Sequence, residues 1–252
     1  MFRWVRDRTV RRGRRALGRL LETLAGPAEP RRPGRRVSPD AVVDCAVYAD
    51  GARRSGRPHF ADAARQVRRR GDAFVWLGLH EPDRATMGAV AEAFGLHDLT
   101  AEQALSGGHR PVVETIGDVT RIVLRTARYV EHEELTETSE VVDTGDVTIL
   151  MGERFVVTVR HGAPGALWRV RENLEQRPAL LAAGPWSVAY AVCAAMVDLY
   201  LDVAGHVEKD LERLEEVAFA ADRSPGIARM YQLKREMVEF KRAVLPLQEP
   251  LH

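Results

Sequence analysis

Seven carboxylates fall between positions 131 and 146, at Glu131, Glu133, Glu134, Glu137, Glu140, Asp143 and Asp146. They are the hard oxygen donors that Ca²⁺ and Mg²⁺ take. Their spacing is not that of a calcium loop, which runs Asp-x-Asp-x-Asp-Gly and closes on a Glu, so a solvated hairpin is the reading for this stretch. The eight histidines are scattered, and His80 beside Glu81 is read as a strand-end pair in preference to an acid–base couple. There is no Gly-x-x-x-x-Gly-Lys-Ser/Thr loop, no His-Glu-x-x-His and no Gly-x-Ser-x-Gly elbow, the patterns that build phosphate, zinc and acyl-transfer sites. An enzyme is not predicted. Cys45 and Cys193 are the two cysteines and lie far apart, which excludes a disulfide framework or a cysteine zinc site. Both are expected to be small buried residues in a reducing compartment.

Charge is unevenly placed. Residues 1–36 hold 12 arginines, no lysine and three acidic residues, leaving 25 basic and 33 acidic residues in the rest of the chain. Trp4, Val10, Leu17, Leu20, Leu21 and Leu24 among those arginines allow a basic amphipathic helix that touches anionic lipid or nucleic acid, against a disordered tail, which the irregular apolar spacing favours. Prolines 27, 30, 33 and 39 mark a linker. A basic arm and linker are therefore expected over 1–40, an α/β domain over 41–183 and a helical hairpin over 184–252. No uninterrupted apolar run reaches the roughly 18 to 20 residues that span a bilayer, so the chain is expected to be soluble as it stands, and the N-terminus lacks the apolar run of a secretory signal.

Within the body, strand and helix alternate: strands over Val42–Ala49 and Asp72–Leu79, helices over His59–Arg70, Glu81–Phe94 with Pro82 in its first turn, and Leu96–Leu105. From Val112 to Arg160 the periodicity falls to two, and Gly117-Asp118 and Gly152-Glu153 are placed to join neighbouring strands, giving four antiparallel strands. Gly165–Asn173 reads as a short helix. A long helix follows from Ser187 to about Ala221, with Glu208, Glu212, Glu215 and Glu216 on its polar side. Ser224-Pro225-Gly226 turns the chain back.

Met230, Leu233, Met237, Phe240, Val244, Leu247 and Leu251 then recur at spacings of three and four, the pattern of a helix with an apolar seam. Ile227, Tyr231, Val238 and Leu245 widen the seam, so part of it is expected to lie against its own domain. Lys234, Arg235, Glu236, Glu239, Lys241 and Arg242 are assigned to the remaining, polar faces. Pro246 and Pro250 should kink or end the helix.

Tyr231-Gln232-Leu233-Lys234-Arg235-Glu236, then Arg242 and Leu245-Pro246-Leu247-Gln248-Glu249, resemble the start of the stalk helix of the CorA family of divalent-cation transporters. The likeness extends over Phe74-Val75-Trp76-Leu77-Gly78-Leu79-His80-Glu81-Pro82-Asp83, Phe94-Gly95-Leu96 and His109-Arg110-Pro111, and runs from about Val42 to Glu249. It implies an α+β fold: an αβα sandwich whose mixed, largely antiparallel sheet lies between helix layers, followed by a long antiparallel helical hairpin leading into a truncated stalk helix.

The resemblance also implies a cytoplasmic regulatory domain of a pentameric homo-oligomer, held at the membrane by transmembrane helices that are not in this sequence, with Mg²⁺, or Co²⁺, Zn²⁺ or another divalent cation, as the ion sensed. Asp98, Glu102 and Asp198 are the metal ligands it points to. Gln103 and Ala194 stand where the family pattern has further carboxylates, which implies a weakened or displaced site. Two other classes compete: a free-standing scaffold that uses the helical hairpin, and a nucleic-acid binder that uses the arginine arm. The acidic body and the lack of interleaved aromatics argue against the latter.

Overall fold

In a computed structural model of the chain, the described residues are 39–132, 134–136, 138–162, 167–218 and 224–248. The basic arm and most of the linker, Glu133, Glu137, the Ala221 end assigned to the long helix, and Glu249 to His252 lie outside them.

Seven strands form one sheet in the order β2-β1-β3-β7-β6-β5-β4. They are β1 (Val42–Ala49), β2 (Ala52–Arg53), β3 (Ala73–His80), β4 (Val112–Ile116), β5 (Val119–Tyr129), β6 (Val142–Gly152) and β7 (Phe155–Gly162). Only β3 and β7 run parallel, Val75 facing Phe155 and His80 facing Arg160; the other pairings are antiparallel. The sheet is therefore mixed and mostly antiparallel, and the four strands expected between Val112 and Arg160 are present.

Strand alternation splits the core in two. Val75, Leu77 and Leu79 of β3 pack to one side with α1 (Phe60–Arg69), α2 (Arg84–Phe94) and α3 (Asp98–Leu105). Phe74 and Trp76 point to the other, with α4 (Leu167–Glu175), α5 (Pro178–Leu181), α6 (Pro185–Ala218) and α7 (Ser224–Val244). Both faces of the central strands are thus apolar and covered, the pattern that removes a sheet from water on both sides.

Local chemistry fixes several ends. Asp83 caps α2 by accepting from the N–H of Thr86 at 2.7 Å, so Pro82 lies outside the helix and not in its first turn. Gly51 turns β1 into β2 at φ 70°, and a Cβ there would collide with the carbonyl oxygen of Pro178; glycine is what lets α5 dock on this turn. Cys45 is buried, which pushes its thiol up to about 11, and Cys193 is half-buried. Cys45 is thus a buried packing residue as expected, whereas Cys193 packs at the edge of the core.

The second face carries a buried polar network. Arg171 lies over the Trp76 ring at 4.0 Å, pairs with Asp44 at 3.1 Å and donates to the Tyr48 hydroxyl at 3.0 Å. That hydroxyl donates on to Glu175 at 2.6 Å. The chain fastens β1, β3 and α4 together.

Among the described residues one stretch, Pro185–Glu216 within α6, is long and apolar enough to cross a membrane by length and composition. No uninterrupted apolar run was needed for this, because Asp198 and Asp202 are outweighed by their neighbours in the average. Val188, Val192, Met196, Val203 and Val207 bury one face of α6 in the core. Trp186, Tyr190, Val197 and Leu201 leave an apolar stripe exposed on another.

The α-helix of α7 ends at Val244 and tightens into a 3₁₀ turn over Leu245–Gln248, so Pro246 ends the α-helix as its chemistry requires. The seam divides: Leu233, Ala243 and Leu247 are buried, whereas Met230, Tyr231, Met237 and Leu245 are exposed. Glu236 departs from its assignment to a polar outer face. It is buried and accepts from the N–H groups of Val141 at 3.0 Å and Val142 at 3.3 Å. Gln232 joins it, donating to the carbonyl oxygen of Ser139 at 2.6 Å and to Glu236 at 3.3 Å.

Candidate functional site

Helix α3 starts where the His97 ring accepts from the N–H of Leu99 at 3.2 Å. Asp98 follows in the first turn, where a carboxylate complements the helix dipole. Thr100, Ala101 and Ala104 turn inward. That fixes Asp98 and Glu102, four positions apart, on one outer face. Both are exposed and both line a cleft of about 550 Å³ against α2, together with Arg84 and Glu92. Arg84 reaches Glu102 at 3.7 Å, so this cleft holds three carboxylates and one guanidinium.

The far end of α3 is anchored by residues that sequence reasoning missed. His161 places Nε2 3.0 Å from the carbonyl oxygen of Ala104 and Nδ1 2.9 Å from Oε2 of Glu81. Oε1 of Glu81 accepts from the N–H of Gly162 at 2.8 Å. These two contacts, the backbone N–H first, hold the Glu81 carboxyl below the usual glutamate range. The histidine that serves Glu81 is thus His161, across the parallel pair, and not the adjacent His80. Just beyond, buried Asp146 accepts from the N–H of Gly108 and pairs with Arg125 at 2.7 Å. Gly108 takes φ 84° to present that N–H, which pins the Ser106–Pro111 turn.

Asp198 is exposed on α6, and α6 packs on the opposite side of the sheet from α3. One chain therefore brings Asp98 and Glu102 together and keeps Asp198 apart from them. Among the described residues no three His, Cys, Asp or Glu side chains form a metal-holding group. Among the described residues of the acidic run, Asp143 pairs with Arg128 at 2.9 Å, Asp146 is spent on Arg125 and Gly108, and Glu134 reaches Arg229 at 3.6 Å.

Residues 71–252 match the CorA family, described as CorA-like Mg²⁺ transporter protein. The chain belongs to the CorA family. It is a family of transporters, not of enzymes. The chain is 27% identical over 181 residues to YfjQ of Bacillus subtilis, covering 71% of this chain and 53% of that protein. It is 25% identical over 181 residues to the cobalt/magnesium transport protein CorA of Thermotoga maritima, covering 70% of this chain and 49% of that protein. The chain thus spans about half the length of the curated relatives it matches. Its fold is similar to the soluble domain of CorA from Methanocaldococcus jannaschii, with TM-score 0.62 at 16% identity, covering 84% of this chain and 78% of that one.

Gln103 and Ala194, where the resemblance led to the expectation of further carboxylates, are both half-buried. Oε1 of Gln103 is enclosed and without a hydrogen-bond partner. Ala194 lies on α6. Neither contributes a carboxylate, and the three expected ligands are all exposed: Asp98 and Glu102 beside Glu92, and separately Asp198. A few carboxylates with retained waters are the donor set that suits Mg²⁺.

Proposed function

We propose that this chain is the cytoplasmic, cation-sensing domain of a CorA-like transporter of Mg²⁺ or Co²⁺. Asp98 and Glu102 share a hydrated divalent cation with Asp198 of the partner subunit in a pentameric ring. Conduction and attachment at the membrane belong to parts of the protein outside these 252 residues. The observation that carries the reading is the placement of the three carboxylates: two line one exposed cleft, the third lies across the sheet, and a ring of copies is what can unite them.

Cation bound between subunits favours the closed, symmetric assembly, because its affinity for that arrangement exceeds its affinity for separated subunits. Loss of the cation loosens the ring. With Gln103 and Ala194 in place of carboxylates, fewer charges hold the ion, which lowers the affinity of the site.

Sedimentation of the chain with and without millimolar Mg²⁺ tests the assembly step, which is expected to shift toward larger species with the ion. In the intact transporter, Glu102→Ala and Asp198→Ala are expected to weaken the inhibition of uptake by internal Mg²⁺. Uptake unchanged in both variants would remove these residues from the site.

A further inference from the structure

The cleft between the Gly108–Pro111 turn and the end of α7 has a volume of about 740 Å³, within the span of small-molecule sites. Arg110, Arg125, Lys241 and Arg242 line it, against the single carboxylate of Glu239. Two of these cations are accounted for locally. Arg125 is held by Asp146, and Arg242 pairs with Glu239 at 2.6 Å.

Arg110 and Lys241 are different. Both are exposed, and neither has an ion-pair partner among the described residues. A lysine in the last turn of a helix complements the dipole, but no such reason applies to Arg110 on the facing turn. His109 lines the same cleft, and its Nε2 is buried without a hydrogen-bond partner. Donors converge from two separate elements on one space, and among the described residues Arg110 and Lys241 have no carboxylate partner there. The remaining wall is apolar: Pro111, Val238, Leu245 and Pro246.

We propose that this cleft binds a nucleoside di- or triphosphate, its phosphates received by Arg110 and Lys241 and its base resting on the apolar wall. Guanidinium and ammonium groups are the usual partners of phosphate oxygens, and an apolar surface suits the flat base. Because the cleft joins the turn that follows α3 to the end of α7, bound nucleotide fastens the Asp98–Glu102 helix to the helical hairpin. This adds a second, anionic input to the domain and does not depend on the cation reading.

The test is calorimetric titration of the chain with ATP, ADP, AMP and tripolyphosphate, in chelator so that the carboxylate cleft is silent. Affinity is expected to rise from AMP to ATP. Arg110→Ala and Lys241→Ala are each expected to weaken ATP roughly tenfold, the loss of one charge-assisted contact, with circular dichroism unchanged because both side chains are exposed. Equal affinity for tripolyphosphate and ATP overturns the nucleoside assignment. Absence of saturable binding, or binding unchanged in both variants, overturns the site. A change of oligomeric state in the two variants without any nucleotide binding overturns it too, and gives the cleft to the acidic α6 side of another copy.

Discussion

His161 and Glu81 meet 2.9 Å apart across the carboxyl ends of the two parallel strands, β7 and β3, and the other ring nitrogen of His161 holds the end of α3. The helix carrying the candidate cation ligands is thereby tied to the parallel pair at the centre of the sheet. Glu81 adopts a positive φ of 45° to make this contact, a conformation uncommon for a residue with a side chain.

Acid should loosen that tie. The Glu81 carboxyl sits below its ordinary value of 4.5 in the folded chain. Its contribution to stability is therefore fully present above that value and is lost as the pH falls through the lower, folded one. Glu81→Gln is expected to be less stable than the parent chain at pH 7, with the gap closing as the pH drops below 4.5. Glu81 is 54% exposed, so solvent screening keeps the effect small. Thermal melts from pH 7 to pH 3 measure it, and melting curves for the two proteins that stay parallel across this range contradict it.

Removing Glu236 should cost more. Its carboxylate serves the N–H groups of Val141 and Val142 and the Gln232 amide. Glu236→Ala leaves these buried donors without an acceptor, a loss of about 2–3 kcal/mol. Glu236→Gln keeps one acceptor oxygen and should lose less. Urea denaturation gives both values, and a change within about 0.5 kcal/mol for alanine, the range of an ordinary surface substitution, rules the contact out as a fastener of α7.

Arg171 is the corresponding fastener of α4. Arg171→Met takes one of its guanidinium partners from Asp44, which keeps Arg53 and Arg57, and the cation from the Trp76 face, and is expected to destabilise the fold by about 2 kcal/mol. Arg171→Lys retains charge but loses the planar fork that reaches Asp44 and Tyr48 together, so it should fall between the two. Equal stability of the methionine and parent chains in urea would falsify this.

At Gln103 the expectation reverses. Its Oε1 is enclosed without a partner, and an apolar group of similar shape removes the unmet acceptor. Gln103→Met should therefore be neutral or stabilising, by up to about 1 kcal/mol. Gln103→Glu should destabilise the chain in chelator and recover in millimolar Mg²⁺. Melts under both conditions test this, and a chain that Gln103→Glu stabilises in chelator refutes the enclosed geometry.

Much of the fold was legible because periodicity reports burial. Val42–Ala49 was bounded correctly as a strand, and the pairs Gly117-Asp118 and Gly152-Glu153 marked real hairpins. What escaped had no periodic signature. β2 and α5, of two and four residues, are shorter than any pattern that could announce them. Glu236 looked like a solvent-facing residue because polarity in a helix says nothing of backbone donors 95 positions away. His161 was hidden for the same reason, with Glu81 distant in the chain. Of the candidate site, Asp98, Glu102 and Asp198 came from the family resemblance. Their division between two sides of the sheet needed the fold.

That division has a geometric consequence for assembly. A contact made by one side of the sheet on the opposite side of the next copy is head-to-tail: the two surfaces that meet are different, and a pair of copies keeps one unused surface of each kind, one on either copy. Such an interface cannot close on itself as a two-fold dimer. It closes only when the rotation per step returns to its start; in the proposed ring every copy would then hold two neighbours, and each Asp198 would serve a single joint.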